Sequence, residues 1–162
     1  MTPLWLHRPL VNWQDVFRWA IEAGIKKLMP ASELHVTLAT VREPVEWDDL
    51  ELLTDTIVVP AGLKTVQIFG FTAKALTFGH PDIKARHEKL LERFPQMDHP
   101  LLRPHVTLFR GGKMPHLPYE GELIFGPEVA SEFNEQKARD IKHLKINTPQ
   151  MRLELGLLDD AA

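Results

Sequence analysis

His35-Val36-Thr37-Leu38 and His105-Val106-Thr107-Leu108 are the same tetrapeptide, placed seventy residues apart in a chain of 162. Each begins a run that reads as a β-strand, Leu34 to Val41 and His105 to Arg110. Side chains i and i+2 of a strand leave the same face, so each copy presents an imidazole beside a hydroxyl while Val and Leu turn to the core. Two such strands can build a polar cleft of four residues. With eight His in the chain, composition alone yields roughly half of one His-x-Thr, so a single copy carries little weight. The full tetrapeptide is expected under ~0.01 times per chain, and here it occurs twice.

Working outward from the first copy, Trp13, Val16, Phe17, Ala20, Ile21, Gly24, Ile25 and Leu28 keep the i, i+3, i+4, i+7 spacing of an amphipathic helix. Asn12 is its expected N-cap, Pro30 lies just past its end, and Lys26 and Lys27 would complement its dipole. Before the second copy, Ile83, His87, Leu90, Leu91 and Phe94 share a face over Pro81 to Phe94. Pro81 suits the first helical position and Pro95 closes the helix. The remaining strands are expected at Leu4 to Val11, Thr56 to Val59, Lys64 to Thr72, Ala75 to Phe78, Glu122 to Phe125 and about Asp140 to Ile146. The fold class is therefore α+β, with helices packed on mainly antiparallel sheet.

At 44% hydrophobic residues, the chain has enough apolar material for one compact domain. The expectation is a single domain over 1–162, with its core at about 3–146 and a C-terminal extension at 147–162. A net charge of −3 gives no global positive field, which argues against duplex nucleic acid and leaves a small nucleotide as the partner. No apolar run approaches the ~20 residues that cross a bilayer. Arg8 follows the opening apolar residues instead of preceding them, unlike a signal peptide. The chain reads as cytoplasmic, mature from residue 1 and monomeric. Without cysteine there is no thiolate, so chemistry falls to His, Thr, Ser, Asp, Glu or Lys.

Two imidazoles with ordinary pKa values of about 6.5 can serve as base and acid near neutrality, and two hydroxyls can donate to phosphate oxygens. That set suits transesterification of a phosphodiester without a metal. No persuasive metal site is expected, because His80 and His87 are seven apart on the second helix, and His99 and His116 lie in Pro-containing loops. These four are expected to be exposed or capping histidines. In the first strand Leu4 and Leu6 alternate with Trp5 and His7, so with the leucines inward, Trp5 and His7 face the cleft. Trp5 is then as well placed to stack on a nucleobase as to pack as an edge aromatic.

The paired His-x-Thr motifs resemble those of the 2H phosphoesterase superfamily, which includes the 2′,5′-RNA ligase-like proteins and RNA cyclic phosphodiesterases. The resemblance implies two pseudo-symmetric lobes of antiparallel sheet with outer helices, each lobe giving one motif strand to a central cleft. The Pro104-to-Leu108 motif, the run Tyr119 to Val129 and the segment Lys84 to Leu90 are more closely similar to the bacteriophage anti-CBASS phosphodiesterases. By that resemblance His35, Thr37, His105 and Thr107 are catalytic, with no cofactor. One histidine takes the 2′-OH proton and the other protonates the leaving 5′-oxygen, their order left open. The implied substrate is a cyclic oligonucleotide immune signal, cleaved through a 2′,3′-cyclic phosphate in the host cytoplasm. The alternative is a linear RNA end, as an RNA 2′,3′-cyclic phosphodiesterase or 2′,5′-ligase-like enzyme. The acidic stretch around Glu128 and Glu132 is expected to supply a carboxylate to a base edge, with Glu132 the named candidate.

Overall fold

The structure is a computed structural model and describes residues 1–157. In chain order its elements are β1 (Thr2–Pro9), α1 (Trp13–Glu22), β2 (Lys27–Leu28), β3 (His35–Val45), β4 (Ile57–Val59), β5 (Thr65–Phe69), β6 (Ala73–Thr77), α2 (Pro81–Arg93), β7 (His105–Arg110), β8 (Leu123–Phe125), β9 (Val129–Glu132), α3 (Glu135–Arg139), β10 (Leu144–Lys145) and α4 (Pro149–Glu154). All the pairings are antiparallel. Two three-stranded sheets, ordered β3-β1-β9 and β5-β6-β7, carry one His-x-Thr strand each at an edge. Those edge strands, β3 and β7, lie against one another. This is the α+β, two-lobed arrangement the sequence led us to expect.

The lobes repeat at the level of register. In β3, Ala39 pairs with Leu6 and Thr37 with His7, which leaves Leu38 without a cross-strand partner. In β7, Phe109 pairs with Lys74 and Thr107 with Ala75, which leaves Leu108 in the same position. Each is a β-bulge directly after His-Val-Thr. A bulge shifts the alternation by one residue, so Leu38 and Ala39 are both buried, as are Leu108 and Phe109. Residues Thr40 and Arg110 thereby return to the face that carries the threonines. The freed bulge carbonyls find other partners, as buried carbonyls must. Met29 N donates to Leu108 O at 2.8 Å, and the His87 ring, through Nδ1, meets Leu38 O at 3.0 Å.

Several boundaries differ from the sequence reading. The first helix stops at Glu22, six residues before Leu28. Gly24, at φ 81°, forms a Schellman turn in which Ile25 N donates to Ala20 O at 2.9 Å and Gly24 N to Ile21 O at 3.2 Å. A Cβ at Gly24 would stand 2.8 Å from the His116 ring, so glycine is required there. Ile25 and Leu28 keep the apolar rhythm but are buried from extended chain. Lys26 and Lys27 therefore do not end a helix. Asn12 begins α1 without capping it through its side chain; its amide instead accepts from Ile124 N at 2.9 Å and donates to Glu122 O at 2.9 Å. The expected strand at 140–146 shrinks to Leu144–Lys145, and its first residue, Asp140, is instead the C-cap of α3, which Asn134 starts by accepting from Lys137 N. The strand β9 falls within the acidic stretch around Glu128 and Glu132.

The second helix begins as read, with Pro81 in its first turn and the His80 ring accepting from Asp82 N at 3.1 Å. His87, expected to be exposed or capping, is buried between the carbonyls of Leu38 and Pro100. At the C-terminus, α4 docks through Leu155, whose carbonyl accepts from Arg18 Nε at 2.8 Å. The last five positions of the expected extension lie outside the described residues. Among the described residues, no helix is long and apolar enough to cross a membrane.

Candidate active site

Both motif strands bury their Val and Leu fully, Val36, Leu38, Val106 and Leu108 all being at most 1% exposed. The strand pleat then holds His35, Thr37, His105 and Thr107 on the opposite face. In both copies the imidazole Nδ1–H donates to the backbone carbonyl two residues earlier: His35 to Glu33 O at 2.6 Å and His105 to Arg103 O at 2.7 Å. A neutral imidazole has one N–H, so this bond leaves the Nε2 lone pair as the proton acceptor. The local chain sets the tautomer, and sets it alike in both lobes.

A cavity of about 390 Å³ brings together His35, Thr37, Thr107, Trp5, His7 and Glu132. His105 is not in its lining, although it shares a strand face with Thr107. Burial lowers the His35 pKa to about 4, with a smaller push from the His105 charge. His105 is also lowered, first by burial and then by the charges of Arg103 and His99. Its ring stacks on Phe69 at 4.1 Å, and the Arg103 guanidinium lies 4.3 Å from the other ring, Phe69.

Trp5 and His7 flank His35 from β1. Their rings stack at 3.7 Å, and both meet His35 edge-on, at 4.9 Å and 5.3 Å. One face of Trp5 is therefore occupied by protein. Its indole Nε1–H donates to Thr37 Oγ1 at 3.1 Å, which occupies a hydroxyl lone pair and leaves the hydroxyl proton free for another acceptor. His7 is lowered to about 4 by burial, and its Nδ1 has no hydrogen-bond partner among the described residues.

Glu132 reaches the cavity from β9, but Glu128 does not act there. Its buried carboxylate meets Arg86 at 2.9 Å and Arg8 at 3.9 Å and accepts from Leu53 N. Arg8, 1% exposed, completes the network through Asp55 at 2.7 Å. Glu128 thus ties β1, α2 and two loops together, and its carboxylate is fully buried away from the cavity. The sequence reading passed over Arg110, Thr40 and Ser131, all in the cavity lining. Plain alternation places Thr40 and Arg110 on the core side; only the bulges bring them into the cleft. Among the described residues, no group of three or more His, Cys, Asp or Glu side chains is arranged to hold a metal ion.

Solved structures share this fold. Escherichia coli LigT complexed with phosphate superposes with a TM-score of 0.59 at 13% identity, covering 91% of this chain and 96% of that one. LigT complexed with 3′-AMP gives 0.58 at 14% identity, covering 90% and 95%. A structure described as a phosphoesterase gives 0.56 at 14%, covering 91% and 96%. In sequence, the chain is 34% identical over 149 residues to the anti-CBASS protein Acb1 of Caulobacter sp. (strain RHG1), covering 86% of this chain and 24% of that protein. It is 33% identical over 147 residues to Acb1 of Sphingomonas paeninsulae, covering 82% and 23%. The chain spans about a quarter of the length of these curated relatives. The model of the anti-CBASS protein Acb1 family matches residues 2–140, a stretch that holds both His-x-Thr strands and every strand of the two three-stranded sheets, and the chain belongs to that family.

Proposed function

We propose that the chain is a metal-independent phosphodiesterase that opens cyclic oligonucleotide signals and so counters CBASS defence, acting as a monomer in the host cytoplasm. The observation that carries this reading is the matched pair of imidazoles, each anchored through Nδ1 to a backbone carbonyl. Two Nε2 atoms of one tautomer, beside two hydroxyls, make a general acid-base pair with phosphate-oxygen donors. Family membership supports the biological setting.

In the proposed reaction, His35 Nε2 accepts the ribose 2′-OH proton as the 2′-oxygen attacks phosphorus. The bond from phosphorus to the 5′-oxygen breaks, and that oxygen takes a proton from His105 Nε2–H. The product is a linear oligonucleotide ending in a 2′,3′-cyclic phosphate. Water opens it to a 3′-phosphate with the roles reversed. The more deeply buried His35, with its pKa at about 4, is ready as a base at neutral pH. Thr37, held by the Trp5 indole, and Thr107 donate to the non-bridging oxygens, where charge grows in the transition state.

The test is mass-spectrometric product analysis in EDTA. The substrates are cyclic di- and trinucleotides and an RNA ending in a 2′,3′-cyclic phosphate; His35→Ala and His105→Ala serve as controls. Linear products from the rings, absent with both variants, support the reading. Processing of the RNA end alone replaces it with the linear-RNA alternative. No cleavage of either substrate overturns it.

A further inference from the structure

Beside the cleft lies a second concavity of about 620 Å³ whose charged lining is entirely basic: Lys26, Lys27, Arg110, Lys113, Lys142 and His143. No Asp or Glu lines it. Five of the nineteen Lys and Arg of a chain with net charge −3 meet in this one pocket. Among the other arginines, Arg8, Arg18, Arg42, Arg86, Arg93 and Arg139 each meet a carboxylate. None of the pocket's five Lys and Arg has a carboxylate partner among the described residues. The mutual repulsion registers on His143, whose pKa is lowered by partial burial and then by the Arg110 and Lys27 charges. Its Nε2 accepts from Arg110 N at 3.0 Å, so the neutral ring keeps its proton on Nδ1 as a donor.

Three local features assemble the pocket. The early stop of α1 at Gly24 releases Lys26 and Lys27 from a helical face. The bulge in β7 turns Arg110 outward. Then Gly111 and Gly112, at φ 71° and 74°, reverse the chain so that Lys113 joins the rim. Arg110 and Ile141 line both this pocket and the cleft, so the two are continuous. Like charges concentrated without counter-charge draw an anion to the pocket, and Arg110 has the fork geometry that matches phosphate.

We propose that this basic pocket is a second phosphate subsite, holding a phosphodiester of the cyclic oligonucleotide remote from the one being cleaved, with Arg110 shared between the two sites. Its occupant rests on the phosphodiesterase reading above; its chemistry, an array of donors for phosphate oxygens, does not. A ring carrying two or more phosphates engages both sites at once, whereas a 2′,3′-cyclic mononucleotide engages only the cleft.

The test compares the wild type, the triple variant Lys26→Ser/Lys113→Ser/Lys142→Ser and, as a control, Lys89→Ser on the far helix α2. All four lysines are exposed, so the fold is not at risk. Calorimetry with inorganic tripolyphosphate at low salt reads the site without catalysis, and the triple variant is expected to bind at least tenfold more weakly. In kinetics, the triple variant should raise KM for a cyclic trinucleotide about tenfold and affect a 2′,3′-cyclic mononucleotide much less. Equal tripolyphosphate affinity in the wild type and the triple variant overturns the subsite. Weakened tripolyphosphate binding with an unchanged ring KM assigns the pocket to free anions and overturns the role for a remote phosphodiester. If the wild type cleaves no ring yet the triple variant loses tripolyphosphate binding, the phosphodiesterase reading fails and the anion site stands.

Discussion

The two lobes carry the same His-Val-Thr-Leu strand with the same bulge, yet the strands beside them are built differently. In lobe one, β1 sets Trp5 opposite Thr40, His7 opposite Thr37 and Arg8 opposite Val36. In lobe two, β6 sets Ala73 opposite Arg110, Ala75 opposite Thr107 and Leu76 opposite Val106. Bulky polar and aromatic groups thus stand in one lobe where small or apolar groups stand in the other. Beside Thr107 there is no counterpart of the Trp5 indole. The ring that reaches His105 comes from one strand further out, Phe69 on β5. Identical motifs therefore sit in unlike surroundings: His35 is crowded by two rings from its neighbouring strand and pushed to about 4, while His105 keeps a basic and aromatic flank.

Under the proposed reaction that difference gives equal residues unequal roles, and leaving-group chemistry tests it most sharply. His35→Ala and His105→Ala are each expected to lose roughly 10²- to 10⁴-fold in turnover of a cyclic dinucleotide. On a nucleoside 3′-(4-nitrophenyl phosphate), whose leaving group needs no proton, His105→Ala should recover most of its loss and His35→Ala should not. Recovery by His35→Ala alone would exchange the roles.

Next in size is the buried network peculiar to lobe one. Removing Glu128 leaves Arg8 buried with only Asp55 as an acidic partner, and breaking a buried ion pair costs about 3–5 kcal/mol. Denaturant unfolding of Glu128→Ala should show that loss. A stability matching the wild type would mean that the Arg8–Asp55 pair suffices. Thr107→Val, which removes a proposed phosphate donor, is expected to lower kcat about 10²-fold with little change in Tm. Trp5→Phe removes the N–H bonded to Thr37, worth ~1 kcal/mol or roughly fivefold in rate, and shrinks the ring stacked on His7; an effect as large as that of Thr37→Val would mean that the indole does more than hold that hydroxyl.

The pH dependence follows the same asymmetry. In the folded chain His7 and His35 titrate near 4, against 6.5 in the unfolded chain. Between these values the unfolded state binds more protons, so their contribution to stability is full above pH 6.5 and is lost as pH falls toward 4. Tm should decline over that window, and less so in His7→Gln. In kcat/KM the acid limb reports His35 and the alkaline limb His105, whose pKa lies below its ordinary value. A bell with its optimum on the acid side of neutrality is expected, and a flat profile from pH 5 to 9 would count against the pair. Replacing His105 removes a repelling charge, so the His35 signal in NMR titration should move slightly upward.

The sequence was most legible where its signals are local. A tetrapeptide with period-2 faces is enough to place two histidines and two threonines on polar strand faces, because the pleat depends only on each strand's own backbone. Pro81 likewise announces its helix, and Leu4 and Leu6 correctly orient Trp5 and His7. It was least legible where one pattern serves two structures. The apolar rhythm from Trp13 to Leu28 suits a helix throughout, and only the turn at Gly24 ends it. Glu128 looks like a solvated acid until Arg8 and Arg86, 120 and 42 positions away in sequence, close on it.

By itself, then, the sequence determined the fold class, the two motif strands and the residue types offered to the cleft. Tertiary structure alone decided that Arg110 faces outward, that Trp5 is tied to Thr37, that Glu128 belongs to the core and that five cations share one pocket. The physical reason is that bulges and buried ion pairs depend on which strand lies opposite, and no periodicity within a single strand encodes its neighbour.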